Sequence, residues 1–366
     1  MKNQINQLFF SLGLLFTLLQ MPDRLKAQDN IFKKSDAYVK EMMDNLEIVG
    51  LNYAVLKNGK VIHQKAMGLA NIEHQVPMSR DKLFAVASIS KLFSSIALHQ
   101  LLEIKNRRVE ETVGDFLPER LDLPNAWKKL SLKQLLSHTS GIPDQIDYQI
   151  YLAPESDAFV ISGMKDKPFT SKPGTKSRYN ATGFLLVRLI IEKLAGQDFE
   201  SYMQTQFFDK FGLTTANYGG FKKVVPQRVT TYRNMGGNLE IFPLSYSSPM
   251  YAAAGLNISL ADLMLWLQQV LNGKIISKEH LKTVWTPVSL ENGSPGYFGL
   301  GWEAYALGGG IWMCGHGGAG ISSIRHYWKE NSSETLSVIF LSNGAKNWQK
   351  RPNQINQKIA DFFMDG

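Results

Sequence analysis

The fold is decided by the stretch Phe84-Ala85-Val86-Ala87-Ser88-Ile89-Ser90-Lys91. Apolar residues recur at mostly helical spacing from there to about Glu103, which predicts that Ser88 opens an apolar helix. Lys91 then lies on the same face of this helix, one turn along and within reach of Ser88. The positive potential at a helix N-terminus would stabilise an oxyanion there. The two residues fit a nucleophile and its proton partner, although a capping serine beside a solvated lysine gives the same pattern.

Two later segments bear on that choice. Tyr179 lies in the turn-like stretch 173–183, which leads into an apolar helix predicted for residues 184–194. The stretch Gly315-His316-Gly317-Gly318-Ala319-Gly320 immediately precedes a strand predicted for residues 321–327. Its small residues would let a substrate backbone approach a sheet edge closely. Taken singly, a tyrosine in a turn and a histidine in a flexible loop would give the same sequences.

Strand patterns occur at both ends of the chain and helical patterns lie between them. Segments 52–57 and 60–66 flank Asn58-Gly59, a pair favoured in two-residue hairpin turns. No repeat or linker divides the chain, so we predict a single domain, residues 28–366, with a cleft between two lobes. The sheet lobe comprises residues 28–87 and 296–366, and the mainly helical lobe comprises residues 88–295. Further helices are predicted around 35–46, 261–271 and 354–363. The last strand is predicted for residues 335–341.

In their order along the chain, the motifs resemble those of the serine β-lactamase and penicillin-binding protein superfamily. The resemblance is to the branch of class C β-lactamases, D-amino-acid peptidases and related esterases, and it covers nearly the whole chain after the N-terminal segment. It implies a β-lactamase/transpeptidase-like α/β fold of the α+β type, with a mainly antiparallel sheet flanked by helices. Further segments that agree in order are 68–71, 135–143, 254–256 and 297–302.

The resemblance also implies the site residues. Ser88 matches the acylated serine, Lys91 its motif partner and Tyr179 the family tyrosine, while either Lys91 or Tyr179 could take the serine proton. The expected substrate-binding residues are His316, Gly317, Gly318, Ala319, whose N–H would hold the oxyanion together with that of Ser88, and Asn180. The resemblance implies no metal or cofactor, and the histidines lack the spacing of a zinc motif.

One position departs from the family pattern. The family usually has Y-x-N, whereas this chain has Tyr179-Asn180-Ala181, so alanine stands where the resemblance implies an asparagine that bonds the motif lysine and the substrate amide. The substitution removes a donor and an acceptor from the cleft. In the third motif, His316 stands where lysine is common, and a histidine carries little charge at neutral pH. Efficient β-lactamase action is therefore not expected.

The N-terminus predicts export. Lys2 precedes an apolar stretch at residues 8–19, and Ala27 fits a cleavage point, so residues 1–27 read as a signal peptide and the mature protein as periplasmic or secreted in a bacterium. A membrane anchor is the alternative, but the stretch is shorter than the ~20 residues of a spanning helix. We expect no stable membrane span after signal removal. The single cysteine, Cys314, excludes an internal disulfide and predicts a buried apolar residue.

The formal charge of +8 comes from basic residues scattered along the chain. Because they form no aromatic-interleaved stripe, they indicate a solvated surface and no nucleic-acid partner. The G-x-S-x-G elbow of α/β-hydrolases is absent around Ser88. We therefore predict an exported serine hydrolase that acts through a Ser88 acyl-enzyme on an ester, a D-amino-acid peptide or a β-lactam, cell-wall-derived compounds included. The alternative is a penicillin-binding or scaffold protein of the same fold with little or no turnover.

Overall fold

A computed structural model of the protein describes residues 28–120, 122–147, 156–219, 223–242, 246–319, 322–347 and 352–364. The predicted signal peptide lies outside these ranges. Within them, none of the helices is both long and apolar enough to cross a lipid bilayer. The helices are α1 28–45, α2 Ser90–Lys105, α3 Val113–Phe116, α4 Asn125–Lys128, α5 Leu132–Leu136, α6 Asp157–Met164, α7 Thr182–Ala195, α8 Phe199–Tyr202, α9 Asp209–Phe211, α10 Tyr251–Ala254, α11 Leu260–Leu271, α12 Lys278–Trp285 and α13 Pro352–Met364.

Shorter helical turns and the strands complete the secondary structure. Turns of 3₁₀ helix cover Ala87–Ile89 and Ser248–Met250, and a π-helical segment covers Met203–Phe208. The strands are β1 Gly50–Lys57, β2 Lys60–Asn71, β3 Val76–Pro77, β4 Leu83–Ala85, β5 Asn217–Tyr218, β6 Tyr232–Met235, β7 Asn238–Ile241, β8 Leu256–Ser259, β9 Glu303–Gly308, β10 Ile311–Gly318, β11 Ser322–Lys329, β12 Thr335–Ser342 and β13 Gly344–Ala345.

The main sheet has seven strands in the order β3-β2-β1-β12-β11-β10-β9, and its neighbouring strands are antiparallel. Its strands come from residues 50–77 and 303–342, so both ends of the chain build it, as the sequence predicts. The hairpin between β1 and β2 is also confirmed, with positive φ at Asn58 (51°) and Gly59 (73°). The predicted α+β architecture, a mainly antiparallel sheet flanked by helices, is confirmed.

Helices cover both faces of the sheet because successive strand residues point to opposite sides. Tyr53 and Val55 of β1 belong to a core shared with α1 and α13. Ala54 and Leu56 belong to the larger core, which includes residues of α2, α7 and α11. The larger core holds the helices that carry the candidate site against the sheet.

The segment around Ser88 is more tightly built than a simple helix start. Ser88 lies in a 3₁₀ turn, and α2 begins only at Ser90. Ala87 has φ of 45°, a left-handed conformation that non-glycine residues rarely adopt. Leu256 on β8 fixes the turn, because its carbonyl accepts from Val86 N at 3.0 Å and its N–H donates to Ser90 Oγ at 3.0 Å. The backbone direction at Ser88 is therefore set by contacts on both sides of it.

The glycine-rich third motif lies directly before β11, as predicted, but it also belongs to a strand that the sequence analysis did not predict. Residues 315–318 form the end of β10, which pairs with β11. Because glycine is depleted in strands, the local sequence pattern did not indicate that these residues form a strand. On its other side, β10 pairs with β9 only as far as Gly315. Residues Gly320 and Ile321, the end of the motif and the start of the predicted strand, lie outside the described ranges.

Gly318 brings β10 close to the turn that carries Ser88, because a Cβ at this position would lie 2.4 Å from the carbonyl oxygen of Val86. We expect Gly318→Ala to lower the free energy of unfolding by about 1–3 kcal/mol, since backbone must shift to admit the methyl group. Urea denaturation would measure the loss. The matched control is Gly317→Ala, where the nearest atom would be Arg325 Nη2 at 3.7 Å. It should leave stability within about 1 kcal/mol, and equal losses in both variants would contradict the close approach.

Candidate active site

Ser88, Lys91 and Tyr179 converge although Tyr179 lies far from the other two in sequence. The Tyr179 hydroxyl donates a hydrogen bond of 2.7 Å to Ser88 Oγ. Lys91 Nζ is 3.4 Å from the same oxygen and 4.7 Å from the centre of the Tyr179 ring. Ser88 and Tyr179 are partly exposed, whereas Lys91 is buried. Ser88 is thus partly accessible to solvent, and two proton-handling groups contact its hydroxyl.

The Lys91 amine lies in an apolar environment with few partners. Its side chain donates to the carbonyl oxygen of Ala253 at 2.9 Å, and Nζ is 5.2 Å from the centre of the Phe184 ring. Burial lowers the pKa of Lys91 to about 7, while the negative charge of Asp144 acts in the opposite direction. Near neutral pH a large fraction of Lys91 is therefore a neutral amine, the form that can accept a proton.

Tyr179 has the opposite electrostatic character. Burial raises the pKa of its phenol above the usual value, with the hydrogen bond to Ser88 acting against that shift. Its ring contacts His138, with ring centres 4.7 Å apart. His138 has φ of 56°, and its Nδ1 accepts from Asn180 N at 3.1 Å. Tyr179 is therefore a protonated donor at neutral pH, and His138 supports the segment that carries it.

The third motif presents a neutral histidine to the site. His316 is buried, its ring centre is 5.6 Å from that of Tyr179, and its Nδ1 lies 2.6 Å from the carbonyl oxygen of Gly317. Burial lowers the pKa of His316 to about 4, although the nearby Glu303 carboxylate acts to raise it. At pH 7 the imidazole is therefore uncharged, as the sequence suggested, and it offers no positive charge to a substrate carboxylate.

An ion pair that the sequence analysis missed lies behind this motif. Arg325 Nη2 is 2.8 Å from Glu303 Oε2, and the other carboxylate oxygen is 3.8 Å from His316 Nδ1. Both residues lie opposite Gly315, one on each neighbouring strand. The pair could have been predicted only from the register of the three strands, and the sequence alone does not give that register.

The remaining predicted residues differ in how well they are placed. Gly318 closes onto the Ser88 turn, and Ala319 follows directly after the end of β10. Asn180 is buried, its Nδ2 donating to Ile142 O at 2.8 Å and its Oδ1 accepting from Gly183 N at 2.7 Å. Both polar ends of that side chain are used inside the protein. This placement does not support the predicted contact of Asn180 with substrate, and we propose no such role for it.

Other features of the structure lie apart from this site. A cavity of about 750 Å³ is lined in part by Trp285, Trp312 and Trp328, and none of the candidate site residues Ser88, Lys91, Tyr179 and 316–319 lines it. Cys314 is buried on β10, as predicted, and burial raises the pKa of its thiol. Among the described residues, no group of three or more His, Cys, Asp or Glu side chains is arranged to hold a metal ion.

Comparisons with known proteins agree with this architecture. Residues 35–360 match the sequence profile of the family described as Beta-lactamase. A D-aminopeptidase of Gluconobacter oxydans (strain 621H) is 26% identical over 301 residues, which are 79% of this chain and 55% of that protein. The octameric penicillin-binding protein homologue from Pyrococcus abyssi has a TM-score of 0.75 at 22% identity, covering 91% of this chain and 77% of its own.

A second solved structure has a hydrolase description. EstCE1, a hydrolase with promiscuous acyltransferase activity, has a TM-score of 0.75 at 18% identity and covers 92% of this chain and 99% of its own. At such identities the two structures show only which fold the chain has, and they confirm the predicted β-lactamase/transpeptidase-like fold class. The profile match extends the similarity from the fold to the sequence, because it spans residues 35–360, which is most of the chain.

The burial of Lys91 predicts a pH-dependent loss of stability. The folded-state pKa of about 7 lies below the ordinary value of 10.5, so between these values the unfolded chain binds more protons and stability rises with pH. The effect of Lys91→Met on the free energy of unfolding should therefore be more favourable at about pH 6 than at about pH 9. Urea denaturation at both pH values measures the difference. Lys105→Met, at the exposed end of the same helix, should show no such difference, and a pH-independent effect of Lys91→Met would contradict the burial argument.

Proposed function

Because the chain belongs to the beta-lactamase family, we propose that it is a serine hydrolase in which Ser88 forms an acyl-enzyme and Lys91 and Tyr179 transfer the protons. One observation carries the proposal: the hydroxyl of a partly exposed serine lies 2.7 Å from a phenol and 3.4 Å from a buried amine. The similarity to a D-aminopeptidase of Gluconobacter oxydans also supports a hydrolase.

Acylation begins with proton transfer from Ser88 to Lys91. Lys91 is the proposed base, because its lowered pKa leaves a substantial fraction of it as the neutral amine near pH 7, whereas the raised pKa of Tyr179 keeps the phenol protonated. Ser88 Oγ attacks the substrate carbonyl carbon, and the carbonyl oxygen becomes an oxyanion. The bond to the leaving group then breaks. The leaving alcohol or amine takes the Tyr179 proton, which the Lys91 ammonium replaces.

The oxyanion needs donors that are in place before the reaction. We propose the backbone N–H groups of Ser88 and Ala319 for this role, and each such donor is worth roughly 3 kcal/mol of transition-state stabilisation. The close contact between Gly318 and Val86 supports this assignment, because it joins the two backbone segments that carry these donors.

Deacylation returns the enzyme to its starting state. Water attacks the Ser88 ester carbon and passes a proton to the neutral Lys91 amine. The acid leaves as the bond to Ser88 Oγ breaks, and the oxygen regains a proton from the Tyr179 phenol, which the Lys91 ammonium reprotonates. The steps consume one water molecule for each bond cleaved and require no other reactant.

The proposed substrates are esters or D-amino-acid peptides, with β-lactams as poorer substrates. A neutral His316 offers no charge for the carboxylate of a β-lactam, and Ala181 has no polar side chain with which to bind an acylamide. The predicted signal peptide supports export to the periplasm or beyond, where cell-wall-derived compounds are available.

Covalent labelling tests the nucleophile directly. We expect a fluorophosphonate, or a labelled penicillin at longer times, to add its mass to the peptide containing Ser88, as measured by mass spectrometry. Ser88→Ala should abolish the adduct, and Tyr179→Phe should slow its formation about 10²-fold or more because it removes a proton donor. Tyr38→Phe, in the distant helix α1, should react normally. Labelling that survives Ser88→Ala would refute the assignment, and no labelling or turnover at all would favour the scaffold alternative.

Relative rates test the proposed substrate class. The measurement is kcat/KM for p-nitrophenyl acetate, D-alanyl p-nitroanilide and nitrocefin. We expect the value for the ester to be at least ~10-fold above that for nitrocefin, because the site lacks a positive charge at His316 and a polar side chain at Ala181 for binding the β-lactam. Ala181→Asn should narrow this ratio if the variant folds normally. A kcat/KM for nitrocefin equal to or above that for the ester would contradict the proposed preference.

A further inference from the structure

We propose that Asp144 is the electrostatic partner of Lys91 and thereby a positioning residue for proton transfer from Ser88. The proposal rests on the function proposed above, since it concerns the group that takes the Ser88 proton. Asp144 is separated from Lys91 by more than fifty positions in the sequence, and no motif discussed above includes it.

Contacts with the residues around the start of α7 bring the two side chains into the same region of the fold. Asp144 is buried, and its Oδ1 accepts hydrogen bonds from Ala181 N at 3.1 Å and Ile146 N at 3.2 Å. The carboxylate therefore lies at the residue that precedes α7. Lys91 Nζ lies over the rings of Tyr179 and Phe184, which flank Ala181 on either side in the sequence. The amine and the carboxylate thus approach the start of α7 together.

A buried ammonium needs compensation that the hydrogen bonds alone do not provide. Lys91 Nζ donates to the uncharged oxygens of Ala253 and Ser88. Burying a charged group without an opposite charge is strongly unfavourable. Asp144 supplies that opposite charge, and the attraction is mutual, because Lys91 lowers the pKa of Asp144 while burial, the largest influence, raises it.

The other titratable groups around Lys91 do not take this role. The pKa of Tyr179 is raised and those of His138 and His316 are lowered, so all three are uncharged near pH 7. Glu303 lies beyond His316 and is paired with Arg325 at 2.8 Å. Of the groups that face the amine from the surrounding elements, Asp144 is therefore the one whose negative charge is left to act on it.

A purely structural role for Asp144 can be separated from this one. Its hydrogen bonds to Ala181 N and Ile146 N use a carboxylate oxygen as acceptor, and the amide oxygen of an asparagine can accept the same two bonds. Asp144→Asn therefore keeps the acceptor and removes the charge. A structural role would tolerate this change, whereas the electrostatic role would not.

The test is the pH dependence of Ser88 acylation by a fluorophosphonate in the full-length protein. Removing the negative charge makes the Lys91 ammonium lose its proton more readily, so the rise in acylation rate with pH should move to lower pH by about 1 unit in Asp144→Asn. At 1 pH unit below the wild-type midpoint, the variant should then react roughly fivefold faster. Asp144→Glu, which keeps the charge, should return the midpoint toward the wild-type value.

Asp147→Asn is the matched control, because Asp147 is exposed and paired with Arg178 at 2.7 Å. Its midpoint should stay within about 0.3 pH units of the wild type, since water screens an exposed charge. An unchanged midpoint in Asp144→Asn, with Ser88 still labelled, would overturn the role of Asp144. Absence of Ser88 labelling in the wild type at every pH would instead refute the proposed function.

A double-variant cycle tests the pairing without any activity, and it also covers the case in which Asp144→Asn folds poorly. Lys91→Met leaves the Asp144 carboxylate buried without its partner, so adding Asp144→Asn to Lys91→Met should raise Tm. In the wild-type background at about pH 6, the same substitution should lower Tm because it leaves the Lys91 ammonium unpaired. Equal changes in Tm in both backgrounds would mean that the two groups do not interact, which would overturn the proposal.

Discussion

The candidate site depends on the burial of the Lys91 amine, which the fold achieves at the expense of stability. A lysine at the first turn of α2 would normally reach solvent, yet the larger core leaves it 1% exposed. Each element around it contributes one partner: the carbonyl of Ala253 on α10, the Ser88 hydroxyl and the Tyr179 ring. Because these groups come from separate parts of the chain, α2, α7 and α10 have to pack together for the site to exist. Burial of the amine therefore costs free energy, but it also lowers the pKa of Lys91 into the range in which the amine can act as a base.

Charge around the site is arranged in separate layers. The residues nearest Ser88 are uncharged near neutral pH or close to losing their charge, as the lowered pKa values of Lys91 and His316 indicate. Full charges lie one layer further out, where Glu303 pairs with Arg325 at 2.8 Å. Such an arrangement favours proton transfer over the binding of strongly charged substrates, because the reacting groups can change protonation without a large electrostatic penalty.

The sequence predicted those parts of the fold that depend on local patterns. The hairpin at Asn58-Gly59, the apolar helix α7 and the strands β11 and β12 all follow from periodicity or turn chemistry. Ser88 and Lys91 could be paired because one helical turn separates them. Tyr179 joined them only through the order of family motifs, since no local rule connects residues so far apart in sequence.

The misses have physical reasons of their own. The end of β10 is rich in glycine, so its strand character depends on pairing with β11 and leaves no mark in local propensity. The side chain of Asn180 points into the protein because the backbone path of its turn decides its direction. Asp144 and Glu303 gain importance from neighbours on other elements, which only a three-dimensional arrangement supplies.

The way in which the sheet closes governs the order of assembly. β1 pairs with β12 along its length, from Leu51 opposite Ser342 to Lys57 opposite Leu336. Contacts between such distant parts of a chain carry a large loop-closure entropy and slow folding. A ribosome-bound chain therefore cannot join β1 to the centre of the sheet until β12 has been synthesised. Ser88, which is synthesised early, therefore acquires the neighbouring strand β10 only after more than two hundred further residues have been added.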